Sequence, residues 1–296
     1  MSTPLRPLPQ DNSESRTPTP SERRVVNPDD PPWGIPGAVG VCLLSFVLML
    51  LVQATFLLAY AVRRGIPFTP QAFTEFASKD LAAIVVEILS IPAAHILTLG
   101  LAWMLVTRFG KYPFFQSLGW EPDARLTFWR CAGLSVVLLV AGWGIVQLTG
   151  NPETALDRLI ESSRGAALAT AFAATFTAPL VEEIIFRGLL YSALTRLVGT
   201  VGAVAVVFLI FALIHVPQYW PNFGVIGTIL LLSFVLTAIR ARTGKLLPCF
   251  LIHLFFNGIQ SFLIVLNPYL ERLAPQKSPA PGALLHAIKL LSRIHF

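Results

Sequence analysis

Leu180-Val181-Glu182-Glu183-Ile184-Ile185-Phe186-Arg187-Gly188-Leu189-Leu190 sets two carboxylates and a guanidinium inside a run that stays apolar on both sides. A charge held at bilayer depth costs a few kcal/mol or more, and it survives where it faces the protein interior, finds a partner or does work. Crossing a bilayer takes about 20 apolar residues at 1.5 Å of rise each. Working outward from this stretch, runs that qualify lie near 36–62, 81–107, 131–150, 166–196, 201–216, 223–240 and 246–266. The fold expected is all-α: a polytopic transmembrane helical bundle of about seven to eight helices, the eighth arising if the long second or fourth run is broken. Pro92 and Pro179 fall inside those two runs, and membrane helices tolerate such prolines.

Composition agrees. Of 296 residues, 54% are hydrophobic and 13% charged, against about 25% charged in soluble domains. Mean hydropathy is +0.67. The formal charge of +6 does not point to nucleic acid, because most Lys and Arg flank apolar runs, as topology determinants and headgroup contacts do. The partners expected are membrane lipids and a membrane-associated peptide or protein, with no nucleic acid, and the location expected is multi-pass in the cell membrane. Cys42, Cys131 and Cys249 fall in apolar stretches without metal-type spacing, so they read as packing residues.

Four segments follow. Residues 1–32 are a polar, Pro-rich tail with the composition of disorder. Residues 33–165 hold the first apolar helices and their loops, including Leu118-Gly119-Trp120 and a surface helix within 151–165. Residues 166–266 hold the polar motifs, and 267–296 form a C-terminal tail. Pro217-Gln218-Tyr219-Trp220-Pro221 reads as a rigid aromatic turn and Arg240 to Lys245 as a basic one.

Three motifs carry the chemistry. Glu183 and Arg187 are four apart, acid first, the favourable order for an ion pair on one helix face. Glu182 points about 100° away from Glu183 on the helical wheel. It reads as the reactive carboxylate, and the Glu183–Arg187 pair as an orienting or substrate-holding one. The fourth and fifth runs are joined by a short turn near 197–200, so they form an antiparallel hairpin with Glu182 and His215 both about 21 Å from the turn. A carboxylate and an imidazole meeting in a low-dielectric cavity can hold and polarise a water. His253 and Asn257, at i and i+4, share one face and can donate to a water or a developing oxyanion. Phe211 sits one turn before His215 and packs its ring, while Gly188 allows close helix approach. Glu87 and His95 are also intramembrane; no spacing ties them to the three motifs, and they are expected to line the cavity, to pair with each other or to serve structure alone.

Other intramembrane chemistries find no support in the sequence. There is no His-Glu-x-x-His and no Gly-x-Ser-x-Gly, and every Asp lies outside the apolar runs.

Glu182-Glu183-x-x-x-Arg187, Phe211-x-x-x-His215 and His253-x-x-x-Asn257, in this order, resemble the motifs of the CPBP (Abi) family of intramembrane proteases, which includes the type II CAAX prenyl endopeptidases. The resemblance implies a membrane-embedded endopeptidase, glutamate- or metal-dependent, acting on a membrane-associated or lipidated, CAAX-like protein. It implies that Glu182 and His215 activate the attacking water, that His253 and Asn257 stabilise the oxyanion, and that Glu183 and Arg187 complete the first motif. A metal-free site is preferred because Asn257 is a poor zinc ligand. In a zinc-dependent site Glu182, His215 and His253 would be the ligands. The family also contains members linked to bacteriocin immunity, export or scaffolding, so a non-enzymatic membrane scaffold or transport regulator is the alternative reading.

Overall fold

The computed structural model describes residues 31–273. Of the tails expected at 1–32 and 267–296, residues 1–30 and 274–296 lie outside the described residues, and 267–273 continue the last helix. The helices are α1 (Ile35–Arg64), α2 (Pro70–Lys79), α3 (Leu81–Thr107), α4 (Phe114–Ser117), α5 (Phe128–Thr149), α6 (Ala155–Ser162), a composite stretch over Arg164–Tyr219, α10 (Phe223–Thr243) and α11 (Leu247–Leu273). Within the composite stretch, α7 (Arg164–Phe172), α8 (Ala178–Glu182) and α9 (Tyr191–Tyr219) alternate with two π-helical segments, Ala173–Thr177 and Glu183–Leu190.

Local chemistry sets the helix limits. Pro36 stands in the first turn of α1, and Gly65 closes the helix in a left-handed conformation behind Arg63 and Arg64, the basic end favoured by the helix dipole. Thr69 caps α2 through Ala72 N. Asp80 caps α3 through the amides of Ala82 and Ala83. Thr154 and Asp157 form a reciprocal capping box at the start of α6, which presses Leu156 and Ile160 inward and leaves its charges outside.

Six helical stretches among the described residues are long and apolar enough to cross a membrane. The fourth, Arg164–Tyr219, turns back at Gly199, whose backbone (φ 69°, ψ 175°) suits only a residue without a Cβ. Phe186 and Phe211 consequently stack edge-on at 5.2 Å between ring centroids, whereas a straight helix would hold them roughly 38 Å apart. The stretch is the expected hairpin, so it offers two arms where each of the other five stretches offers one. Leu50, Leu148 and Val201 are 68%, 89% and 84% exposed, an arrangement that suits lipid as the surrounding solvent.

α1 packs on α3, α5 on α10 and α11, and α9 on α10. One apolar cluster joins Val181, Ile185, Phe186, Val207, Phe211 and Ile229. Another joins α5, α10 and α11 through Cys131, Leu236, Cys249 and Phe256. All three cysteines are free and buried, as expected of packing residues.

Two local expectations are corrected. The rigid turn at 217–221 shrinks to Trp220-Pro221, because α9 continues through Pro217 to Tyr219. The basic turn at 240–245 loses Arg240, which lies inside α10 with its side chain fully buried. The reason is a set of interior acceptors, described below, which the linear sequence does not reveal.

Candidate active site

The composite stretch changes hydrogen-bond register twice, and each change places a motif residue. In the first π segment the amide of Ala178 bonds back to Ala173 O, five residues earlier. Continuing that register would pair Ala174 O with residue 179, which is a proline and has no N–H. The amide of Asn257, arriving on α11, donates to this carbonyl instead, Nδ2 to O 2.9 Å. One of the two amide protons of Asn257 is thereby used and one remains.

The second π segment, Glu183–Leu190, is buried at every position. Gly188 within it lets Leu118 approach, since a Cβ there would stand 3.0 Å from Leu118 Cδ2 and 3.5 Å from Leu246 Cδ2. The Leu118-Gly119-Trp120 loop is held in this place from the other side. Leu246 N donates to Gly119 O (2.8 Å), and Trp120 lies 5.0 Å from Phe250 between ring centroids.

Arg187 is the hub of a sealed cluster. Its guanidinium donates to Glu183 Oε1 at 3.0 Å, to Thr237 Oγ1 at 3.2 Å and to Ser233 Oγ at 2.8 Å. It also lies 4.3 Å from the Phe211 ring centroid, a cation–π contact. Glu183 Oε1 takes a second contact from His253 Nδ1 at 2.8 Å. Both side chains of the Glu183–Arg187 pair are fully buried. Arg240 adds a second guanidinium from α10, donating to Arg187 O at 3.1 Å and to Ser192 Oγ at 3.1 Å. Sequence reasoning missed Arg240 because its acceptors are a backbone carbonyl and a serine far away in the chain.

Glu182 is placed differently. Its side chain is 23% exposed, and its Oε2 lies 3.7 Å from His253 Nε2, too far for a direct hydrogen bond and close enough for one water to touch both. It faces a cavity of about 290 Å³ that is also lined by His215, His253 and Asn257. The four residues expected to carry chemistry are therefore brought to one chamber, while Glu183 and Arg187 stand behind its wall. His215 Nδ1 donates to Phe211 O at 2.7 Å. A carbonyl can only accept, so Nδ1 carries the proton and Nε2 is the bare nitrogen. His253 Nδ1 likewise carries a proton, spent on the Glu183 carboxylate, and its Nε2 is turned toward Glu182.

His95 lines the same cavity from α3. Cavity lining was one of the readings the sequence left open for it, and a contact made across helices decides among them. Tyr219 is another lining residue, buried at the end of α9. Among the described residues no three His, Cys, Asp or Glu side chains gather closely enough to hold a metal ion, and Glu182, His215 and His253 do not form such a set.

Comparison with known families places the motifs in context. Residues 164–259 match the family model described as type II CAAX prenyl endopeptidase Rce1-like, in keeping with the CPBP resemblance carried by the three motifs. No curated protein and no solved structure matches the chain.

Proposed function

We propose that the chain, whose residues 164–259 match the type II CAAX prenyl endopeptidase model, is an intramembrane endopeptidase. In this reading Glu182 and His215 activate a water and His253 and Asn257 stabilise the oxyanion. One observation carries the proposal: Glu182, His215, His253 and Asn257 line a single cavity inside the membrane-spanning bundle. The substrate class is a membrane-associated or lipidated, CAAX-like protein. Met49, Ile88 and Ile91 give the cavity an apolar wall suited to such a chain.

Glu182 removes a proton from water, and His215 Nε2 accepts the other water hydrogen to orient the lone pair. The hydroxide oxygen bonds to the scissile carbonyl carbon, and the C=O π pair moves onto oxygen. His253 Nε2–H, with Nδ1–H anchored on Glu183, and the remaining amide proton of Asn257 donate to that oxygen. Donation from Nε2 as well as Nδ1 requires a doubly protonated His253, an imidazolium set between the Glu183 and Glu182 carboxylates.

The test is Glu182→Gln in the full chain, reconstituted in liposomes and given an internally quenched peptide that ends in a prenylated cysteine box. The expected result is roughly a thousand-fold loss of kcat, within the range for removing a general base. Thermal stability should be near that of the wild type, since an amide is cheaper to bury than a carboxylate. Retained turnover in Glu182→Gln would overturn the assignment. A comparison of membrane proteomes with wild type and Glu182→Gln would then identify natural substrates as uncleaved proteins.

A further inference from the structure

The cavity holds a third imidazole that the proposed water activation and oxyanion binding leave unused. His95 is 7% exposed, on α3, and it lies outside the segment matched by the family model. Its Nδ1 is 2.9 Å from Thr177 Oγ1. Thr177 in turn donates its hydroxyl hydrogen to Ala173 O at 3.2 Å, in the first π segment. With that hydrogen committed, Thr177 Oγ1 can only accept from the ring, so His95 Nδ1 carries a proton and Nε2 is its bare nitrogen. The contact survives in either charge state of the ring, because Nδ1–H donates in both. His95 can therefore take and release a proton at Nε2 without losing its anchor.

We propose that His95 is a catalytic residue of this cavity, the proton carrier for the leaving amine. The proposal rests on the endopeptidase reading above. Glu182, having taken a proton from the attacking water, passes it through cavity water to His95 Nε2. As the tetrahedral intermediate collapses, the oxyanion re-forms C=O, the C–N bond breaks and its electron pair stays on nitrogen. His95 Nε2–H gives its proton to that nitrogen. Glu182 ends ionised, His95 ends neutral, and one water has been added across the amide.

An amide and its ester analogue separate this role from a structural one, since an alkoxide leaving group departs with far less need of a proton than an amide nitrogen does. The full chain in liposomes is assayed on an internally quenched, C-terminally prenylated peptide and on the same peptide with an ester at the scissile bond. His95→Asn keeps a donor near the Nδ1 position for Thr177 and removes the proton-carrying nitrogen. Expected is about a hundred-fold loss of kcat on the amide, less than about five-fold on the ester, and an unchanged KM for both. Thr177→Val should show the same bias more weakly, about ten-fold on the amide, because the ring loses its anchor. Equal losses on amide and ester, or no loss on either, overturn the role of His95. Glu182→Gln run alongside keeps the two readings apart. If it turns over both substrates normally, or if the wild type cleaves neither, the endopeptidase reading fails and this one fails with it.

Discussion

Glu75–Lys79 in α2 and Glu183–Arg187 in the second π segment are the same device in two settings. Each sets an acid four residues before a base, at 2.9 Å and 3.0 Å respectively. Glu75 and Lys79 are 67% and 73% exposed at their side chains, and those of the second pair are fully buried. Water screens the first pair and could replace it at almost no cost. Nothing replaces the second. Its guanidinium is held by two hydroxyls and an aromatic face besides its carboxylate, and its carboxylate also holds His253. Spacing alone predicts the pairing in both cases. What the pair is for depends on what surrounds it, and inside the bundle it becomes the fixed wall against which the cavity side chains are set.

The sharpest way to break this comparison is Arg187→Ala. It takes the guanidinium away from the buried Glu183, leaving that carboxylate to His253, and removes the donors to Ser233 and Thr237, so a loss of about 3–5 kcal/mol is expected. Thermal unfolding in detergent measures it. The double variant Glu183→Leu with Arg187→Met leaves no orphaned charge and should melt closer to wild type than Arg187→Ala does. It should nevertheless be inactive, because His253 has lost its anchor. A double variant less stable than the single one would mean that the pair contributes net energy rather than orientation.

A smaller effect is expected one residue away. Gly188→Ala inserts a methyl 3.0 Å from Leu118 Cδ2, the far end of a side chain that can shift slightly. Overpacking of this kind costs about 1 kcal/mol at the lower end of its usual range. The melting temperature should fall modestly and turnover should persist. A collapse of activity without any change in melting would show that the position of the Leu118 loop controls the cavity itself.

The apolar runs were legible in the sequence because a membrane leaves few alternatives to helices. Residue spacing about the turn at Gly199 placed Glu182 and His215 at one depth. Two features were not legible, and a third was left open. The π segments arise from register changes that no side-chain pattern announces, and they direct Ala174 O toward Asn257. Arg240 looked like a topology-setting loop charge because its acceptors, Arg187 O and Ser192 Oγ, come from another helix. His95 was left between lining the cavity, pairing with Glu87 and a purely structural role, because α3 meets the cavity only in three dimensions. Contacts within one helix are written in the sequence interval; those between helices are not.

The smallest effect belongs to the exposed pair, and it supplies the control for the rest. The hydrogen bond from Lys79, and then its charge, hold the Glu75 carboxyl below its ordinary range. A carboxyl lowered in the folded state contributes stability above its unfolded titration range and loses it as pH falls through the lowered value. The sign is therefore fixed: any contribution from the pair is present at neutral pH and absent in acid. Both side chains are largely exposed, so that contribution is screened and further reduced by salt. Glu75→Gln should leave the melting curve at neutral pH unresolved from wild type, and the two proteins should also coincide in acid. The same measurement on Arg187→Ala should show a large, salt-insensitive loss at neutral pH. If Glu75→Gln instead destabilised the protein to a similar extent, α2 would be packed against something that removes water from the pair, and burial could no longer explain why the two ion pairs differ.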